Sequence, residues 1–249
     1  MAGLQGTEWS YIGKGSCYLA IKGSTDPLRA VGNVSEITVS ASEDKKELPD
    51  SQNAGGGMAN TLRRPSAVEV SMAMRDFVAE NIALATRGAV SEVTSGSVTN
   101  EAVTARLDGL TPLAHINPSS VVVTNVAGTT TYVANTDYIV TTGGIFIPAT
   151  STIPDDTVVH VDYSYSAQRV VQALVNAGLE YVMRIVGLNE AKSGKPVVVD
   201  FHRLIFGPTQ ELSFIGDDYG TLQVTGDALK DATITGAGLS PYFKVTYVE

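Results

Sequence analysis

The sequence predicts a mainly β protein: an antiparallel β-sandwich or barrel with one flanking α-helix, interrupted by a second, smaller β-sandwich. Three observations predict it. Apolar and polar residues alternate at a period of two in several segments. Only Asp76 to Gly88 combines helical spacing with a start and a stop signal. The texture turns at Gly96 to Thr, Ser, Val and Asn with frequent turn signals, then reverts near Gln168. The expected division is therefore 1–96 and 166–249 for the first domain and 97–165 for the insertion.

Along the chain, Ile37, Val39 and Ala41 alternate with Thr38 and Ser40, which predicts a strand with one core-facing side. Ser42 to Arg64 carries charges, prolines and the run Gly55-Gly56-Gly57 without apolar periodicity, which predicts a long loop. Loops of that length inside compact domains are uncommon and tend to be functional or disordered. Val68, Val70, Met72 and Met74 face one side of a returning strand, so that strand and loop make a long hairpin. Asp76 then suits a helix cap, Val78, Ile82 and Ala85 share a face, Arg87 suits the carboxyl end and Gly88 the stop.

In the insertion, short apolar runs at Val121 to Val123, Tyr138 to Val140, Ile145 to Ile147 and Val158 to Tyr165 are separated by turns at Ala127-Gly128, Gly143-Gly144 and Pro154-Asp155-Asp156. That spacing reads as a small Ig-like module. Beyond it, Leu179 to Leu188 and Pro196 to Phe206 form a second hairpin across the turn Asn189 to Lys195. Shorter strands follow at Glu211 to Ile215 and Gly220 to Thr225, parted by Gly216 to Tyr219, and a last strand places Phe243, Val245 and Tyr247 on one face. Val170 to Val175 fits a helical turn or a strand equally.

Composition bounds the function. A chain of 249 residues with 43% apolar and 17% charged residues buries a core and folds. No apolar run approaches the roughly 18 residues of a membrane span, so no membrane insertion is expected. Met1 to Tyr11 contains Glu8 and neither a basic start nor an apolar stretch, so no secretory signal is expected and the protein should fold where it is made. Cys17 is the sole cysteine, which excludes an internal disulfide and a cysteine-built metal site within one chain. The net charge of −9 argues against a protein that coats or reads a duplex. Between residues 97 and 165, Arg106 is the one basic side chain against Glu101, Asp108, Asp137, Asp155, Asp156 and Asp162.

The search for chemistry predicts no catalytic, metal or cofactor-binding residues. His115, His160 and His202 lie far apart, outside any HxH or HExxH spacing, and read as structural. No GxSxG elbow exposes a nucleophile. Asp155-Asp156 and Asp217-Asp218 lie in turns where solvation is the simpler reading than calcium, and no EF-hand spacing exists. The glycine-rich pieces at Gly13 to Ser16, Gly55 to Gly57 and Ser193 to Pro196 lack the P-loop spacing and read as turns.

The order from Tyr11 to Gly88, a Gly-rich opening, a strand, a long charged loop, an alternating strand and a capped helix, resembles the major tail tube proteins of long-tailed, siphovirus-like bacteriophages. The C-terminal part is also similar: Gly187-Leu188-Asn189 before a turn, then Lys195-Pro196-Val197-Val198-Val199-Asp200-Phe201-His202-Arg203, then Phe214 to Leu229 as closing strands. The resemblance covers about two thirds of the chain and leaves out residues 97–165, although tail tube proteins often carry extra Ig-like modules.

The resemblance implies a non-enzymatic virion protein of the tail, assembled in the host cytoplasm. Six copies would form a ring whose inner wall is a continuous sheet. Rings would stack into a tube that meets the tape measure protein and the tail terminator and tip proteins. Viral DNA would pass through the lumen during ejection without sequence-specific binding. The family's long loop bridges one ring to the next, which carries over to Glu43, Asp44, Lys45, Lys46, Glu47, Asp50, Arg63 and Arg64. The alternative reading is a carbohydrate-binding or adhesive surface β-sandwich, against which stand the single tryptophan, Trp9, and the missing signal. A β-sandwich hydrolase lacks its catalytic constellation.

Overall fold

A computed structural model describes residues 10–52 and 54–248. The signal-sequence reading of the amino terminus falls mostly on residues 1–9 and, with Trp9, lies outside the described residues. The described residues are mainly β, with antiparallel sheets and one α-helix. In chain order, β1 (Gly13–Ile21), β2 (Arg29–Gly32), β3 (Val34–Pro49) and β4 (Met58–Met74) precede α1 (Ala79–Thr86) and β5 (Ala89–Val93). Then come β6 (Gly96–Ala105), β7 (Gly109–Pro112), β8 (Ser119–Asn125), β9 (Ile139–Thr141), β10 (Gly144–Ile147) and β11 (Thr157–Tyr165). The chain closes through β12 (Gln168–Gln172), β13 (Glu180–Asn189), a 3-10 turn at Glu190–Lys192, β14 (Lys195–Phe206), β15 (Leu222–Ala228) and β16 (Phe243–Tyr247).

Two compact units result, one from Met1–Val90 with Val171–Glu249, the other from Ser91–Val170. The observed limits lie several residues outside the expected 97–165, because the strands β5 and β12 pair into a two-stranded sheet that takes in the chain on both sides of the insertion.

The first unit is built on an eight-stranded sheet in the order β2-β1-β13-β14-β15-β4-β3. Strand β14 shares its second edge: Val197 to Phe201 pair with β16, and Leu204 to Phe206 with β15. One extra residue in β14 opposite Tyr181 and Met183 makes a bulge, so that both Phe201 and Leu204 turn inward. Met72, Met74, Val70, Leu222, Val224 and Met183 fill the core with them, and Leu84 and Ala85 of α1 pack on it. The alternation of Val68, Val70, Met72 and Met74 thus lands on the core as the period of two requires.

Gly15 and Gly187 sit opposite each other in β1 and β13. A Cβ at residue 187 would lie 2.6 Å from Lys14 O, so the strands approach here at a distance only glycine permits.

The helix is shorter than its sequence signals. Its N-cap is Val78, without a side-chain cap. The expected cap, Asp76, instead accepts from the Asn33 N–H at 3.1 Å, tying the β2–β3 corner to the end of β4. Asn81, fully buried, donates to Val31 O and Asp76 O and accepts from Arg29, so a polar side chain anchors α1 to β2. At the carboxyl end Arg87, not Gly88, adopts the left-handed conformation (φ 49°), and Gly88 N–H reaches Ala83 O at 2.7 Å, a Schellman arrangement. Gly88 serves closeness instead: a Cβ there would lie 2.6 Å from Gln172 O.

The second unit consists of two three-stranded sheets, β7-β10-β9 and β6-β11-β8. Val123, Val159, Val161 and Tyr163 from one sheet share a core with Ile145 and Ile147 from the other and with Tyr132, Tyr138 and Ile153 from the loops. The four apolar runs predicted here are β8 to β11, whereas β6 and β7 carry no continuous apolar run.

Two further expectations change. Glu211 to Ile215 is irregular rather than a strand, and Val170 to Val175 splits into the end of β12 and a turn. In β16, Val245 and Tyr247 share a face with Phe243 but remain exposed.

Candidate interaction surface

The long charged stretch is not a loop. Strands β3 and β4 pair from Val34 and Met74 out to Pro49 and Met58, placing Asp44 opposite Arg64, Lys45 opposite Arg63, Lys46 opposite Leu62 and Glu47 opposite Thr61. Hydrophobic periodicity reports a strand only where one face is buried. In β4 burial ends at Val68, and in β3 it ends at Ile37, so that Val39 and Ala41, expected on the core side, stand exposed; beyond these points neither face is buried, and the backbone ladder persists while the pattern falls silent. Pro65 fits because Ser66 is bulged out of register there and β15 pairs β4 only from Glu69 to Met74, leaving no partner for a missing N–H. The chain reverses between Pro49 and Met58: Asp50 N–H donates to Gly57 O, the Asp50 carboxylate accepts from Gln52 N–H, and Gly55 to Gly57 all take positive φ.

From Ser42 and Ala67 to the turn, the hairpin runs as an arm of two strands with no third beside it, roughly 25 Å long at about 3.3 Å per residue. Of the eight residues carried over to the inter-subunit role, seven lie on its strands and Asp50 opens the turn at its tip. Its two faces differ. On one, Lys45 and Arg63 would repel across the strands, and Glu43 and Glu47 relieve them: Arg63 lies 3.6 Å from Glu43, and Lys45 contacts Glu47. The other face combines Asp44 and Arg64 with Lys46, Leu48 and Leu62. Leu48 is 60% exposed, Met58 54% and Leu62 46%. A two-stranded hairpin solvated on both sides is marginal by itself, and three large apolar residues held in water add a reason for it to be covered.

Elsewhere in the first unit, charges line one face of the sheet. Arg184 donates through Nε and Nη2 to the two oxygens of Asp200 at 2.5 and 3.1 Å, and Lys244 stands 3.4 Å from the same carboxylate. Arg184 holds the Asp200 carboxyl below its ordinary range, with Lys244 adding to the effect. Asp231 is held well below that range by Lys22, then by the Thr233 hydroxyl and N–H. Glu180 is lowered by a two-pronged bond from Arg203. None of these pairs was visible in sequence, because their members lie 16 to 209 positions apart.

In the second unit the buried Asp137 accepts from Val133 N–H at 2.7 Å and from Thr152 N–H and Oγ1 at 3.0 and 2.7 Å, which lowers its pKa. It closes two loops. Asp155 accepts from Leu107 N–H and Asp156 pairs with Arg106, so both carboxylates of that turn have protein partners. His115 stacks on Tyr165 at 3.7 Å between ring centres. The Tyr163 hydroxyl, bonded to Glu101, is pushed up to about 12 by burial and by that carboxylate.

Cys17 is buried, and burial pushes its thiol up to about 12, which leaves it unreactive as a nucleophile. Among the described residues no group of three or more His, Cys, Asp or Glu is placed to hold a metal ion, and no helix is long and apolar enough to cross a membrane. A surface cavity of about 350 Å³ beside α1, lined by Leu19, Ile21, Arg29, Leu84, Leu179 and Tyr181 among others, is mostly apolar and holds no paired nucleophile and base.

No curated protein matches the chain significantly. A family model matches residues 10–246, nearly the whole length and both units, and on that match the chain belongs to the family described as protein of unknown function UCP028589.

Proposed function

We propose that the protein is a non-enzymatic structural subunit that polymerises, with the β3–β4 arm reaching onto a neighbouring copy. The observation that supports this reading is the arm itself: about eight residue pairs beyond the last sheet neighbour, exposed on both faces, with Leu48, Met58 and Leu62 in water. Such an arm gains a buried face only when another surface covers it.

With the sequence resemblance, the reading becomes specific. Six copies form a ring, rings stack into a phage tail tube in the virion, and the arm of one ring docks on the next. The tape measure, terminator and tip proteins are its partners, and viral DNA passes through the lumen to the host. A net charge of −9 suits such a conduit, since an acidic or neutral wall does not retain phosphates and a basic one would brake them.

Sedimentation and negative-stain microscopy of the purified protein test this. Rings or tubes at high concentration are expected. A variant in which a two-residue turn joins Ala41 to Val68 should remain folded, since none of the described residues it deletes belongs to the core, and should no longer stack. Unaltered tubes from that variant would show the arm to be mere surface.

A further inference from the structure

The segment between β14 and β15, residues 207–221, is irregular and pinned at both ends. Gly207 N–H donates to Thr225 O, Thr209 N–H to Ala85 O, and Arg75 bonds Tyr219 O and Thr221 Oγ1. Between these anchors it presents Phe214 (75% exposed), Ile215 (94%) and Tyr219 (95%) around Asp217 and Asp218. Three large apolar side chains on one short segment, almost wholly in water beside two carboxylates, form an acidic, apolar projection.

The same unit carries a groove of opposite character. A cavity of about 320 Å³ over β13 and β14 is lined by Leu28, Val182 and Phe201 together with Lys22, Arg184, His202 and Lys244. Three of the chain's 17 basic side chains meet there against two carboxylates, Asp200 and Asp231, in a protein whose overall charge is −9. Arg184 uses Nε and Nη2 on Asp200, and Lys244 stands 3.4 Å from it. A guanidinium has five N–H donors and an ammonium three, so both retain donors for an incoming carboxylate.

We infer that the Phe214–Tyr219 segment of one copy docks in the Lys22–Arg184–Lys244 groove of a second, with Asp217 and Asp218 meeting the cations and Phe214 and Ile215 covering Leu28 and Val182. The inference rests on the assembly reading and names a second contact, separate from the arm. Projection and groove are different patches of one chain, so the contact is head-to-tail. Such contacts repeat from copy to copy and yield rings when the rotation closes and filaments when it does not. Charge complementarity selects the occupant: in the groove Lys22, Arg184 and Lys244 outnumber Asp200 and Asp231, and the projection presents Asp217 and Asp218.

Two single-cysteine additions test it. Asp218→Cys and Lys244→Cys chains, mixed at assembling concentration and treated with a short bis-maleimide, should give cross-linked dimers that neither variant gives alone. The native Cys17 thiol is buried and does not compete.

In parallel, Asp217→Lys with Asp218→Lys should weaken self-association roughly tenfold at low salt and less at high salt. Lys244→Glu in the partner chain should restore it. Lys244 is well exposed, so that change leaves the fold in place.

A chain that assembles without the mixed cross-link and without response to the charge reversal overturns this contact and leaves the arm reading standing. A chain that stays monomeric at every concentration overturns both. If Lys244→Glu weakens binding of a double-stranded oligonucleotide and leaves assembly unchanged, the groove's occupant is a phosphate backbone and the proposal is lost.

Discussion

Asp137 shows how much one side chain holds in the second unit. Its carboxylate satisfies two backbone N–H groups and a hydroxyl from separate loops, Val133 on one and Thr152 on the other. Asp137→Ala strands those donors and should destabilise the unit by about 1 to 3 kcal/mol, read by denaturant unfolding. The same bonds set a pH dependence. The folded-state pKa values of Asp137, Asp200, Asp231 and Glu180 are all depressed, so their contribution is fully present above the unfolded-state values near about 4 and lost as pH falls below them. The melting temperature should therefore hold from about pH 7 to about pH 5 and drop toward about pH 3. Asp137→Ala should flatten the part of that fall that belongs to the second unit. Gly187 carries a steric constraint instead: Gly187→Ala drives a Cβ to 2.6 Å from Lys14 O and should cost about 1 to 3 kcal/mol by forcing β1 and β13 apart.

At the scale of the element, the β3–β4 hairpin divides into a buried root and an exposed arm within one pair of strands. Met72, in the root, is fully buried among Val70, Met74 and Val224, and Met72→Ala should cost about 2 to 5 kcal/mol of monomer stability. Leu62, ten residues along the same strand, is 46% exposed, and Leu62→Ala should change monomer stability by less than about 0.5 kcal/mol while weakening assembly. Thermal melts below the assembling concentration, set beside sedimentation above it, check both halves. Equal effects of the two substitutions on the monomer would mean that the arm is packed in the free chain. The charged face gives a separate handle. Reversal at Arg63 and Arg64 should weaken assembly more at low than at high ionic strength, because Arg63 and Glu43 are solvent-exposed and interactions in water are screened within about 10 Å at 0.1 M salt.

The whole molecule is two cores on one chain, and no residue is common to both. Removal of residues 91–170 with a short linker from Val90 to Val171 should therefore leave the first unit folded. The ends are close enough for that, since a Cβ on Gly88 would lie 2.6 Å from Gln172 O. A single cooperative melt from the shortened chain, with the parent's circular dichroism shape for the first unit, is the expected result. In the assembly reading its tubes keep the parent's inner bore, and a changed bore would place the insertion in the wall.

Much of this was legible in the sequence, because burial writes itself into the order of residues. The root of β4, the hairpin β13–β14 and the four apolar runs of the insertion follow from apolar side chains that must leave water at a spacing of two. The location of the helix followed from its spacing, but its cap did not, since Asp76 found an N–H in the β2–β3 corner that no local rule foresees. The arm was legible in its residues and illegible in its conformation: with no face buried, Glu43 to Arg64 carried no apolar rhythm, and only the register of the ladder shows Glu43 to Pro49 and Met58 to Arg64 as strands. Tertiary structure alone decided the charge pairs Arg184–Asp200, Lys22–Asp231 and Arg203–Glu180, and the groove that four of their members line. Composition counts charges, but only folding brings distant ones within a few ångströms, where Coulomb attraction and hydrogen bonding give them a shared site.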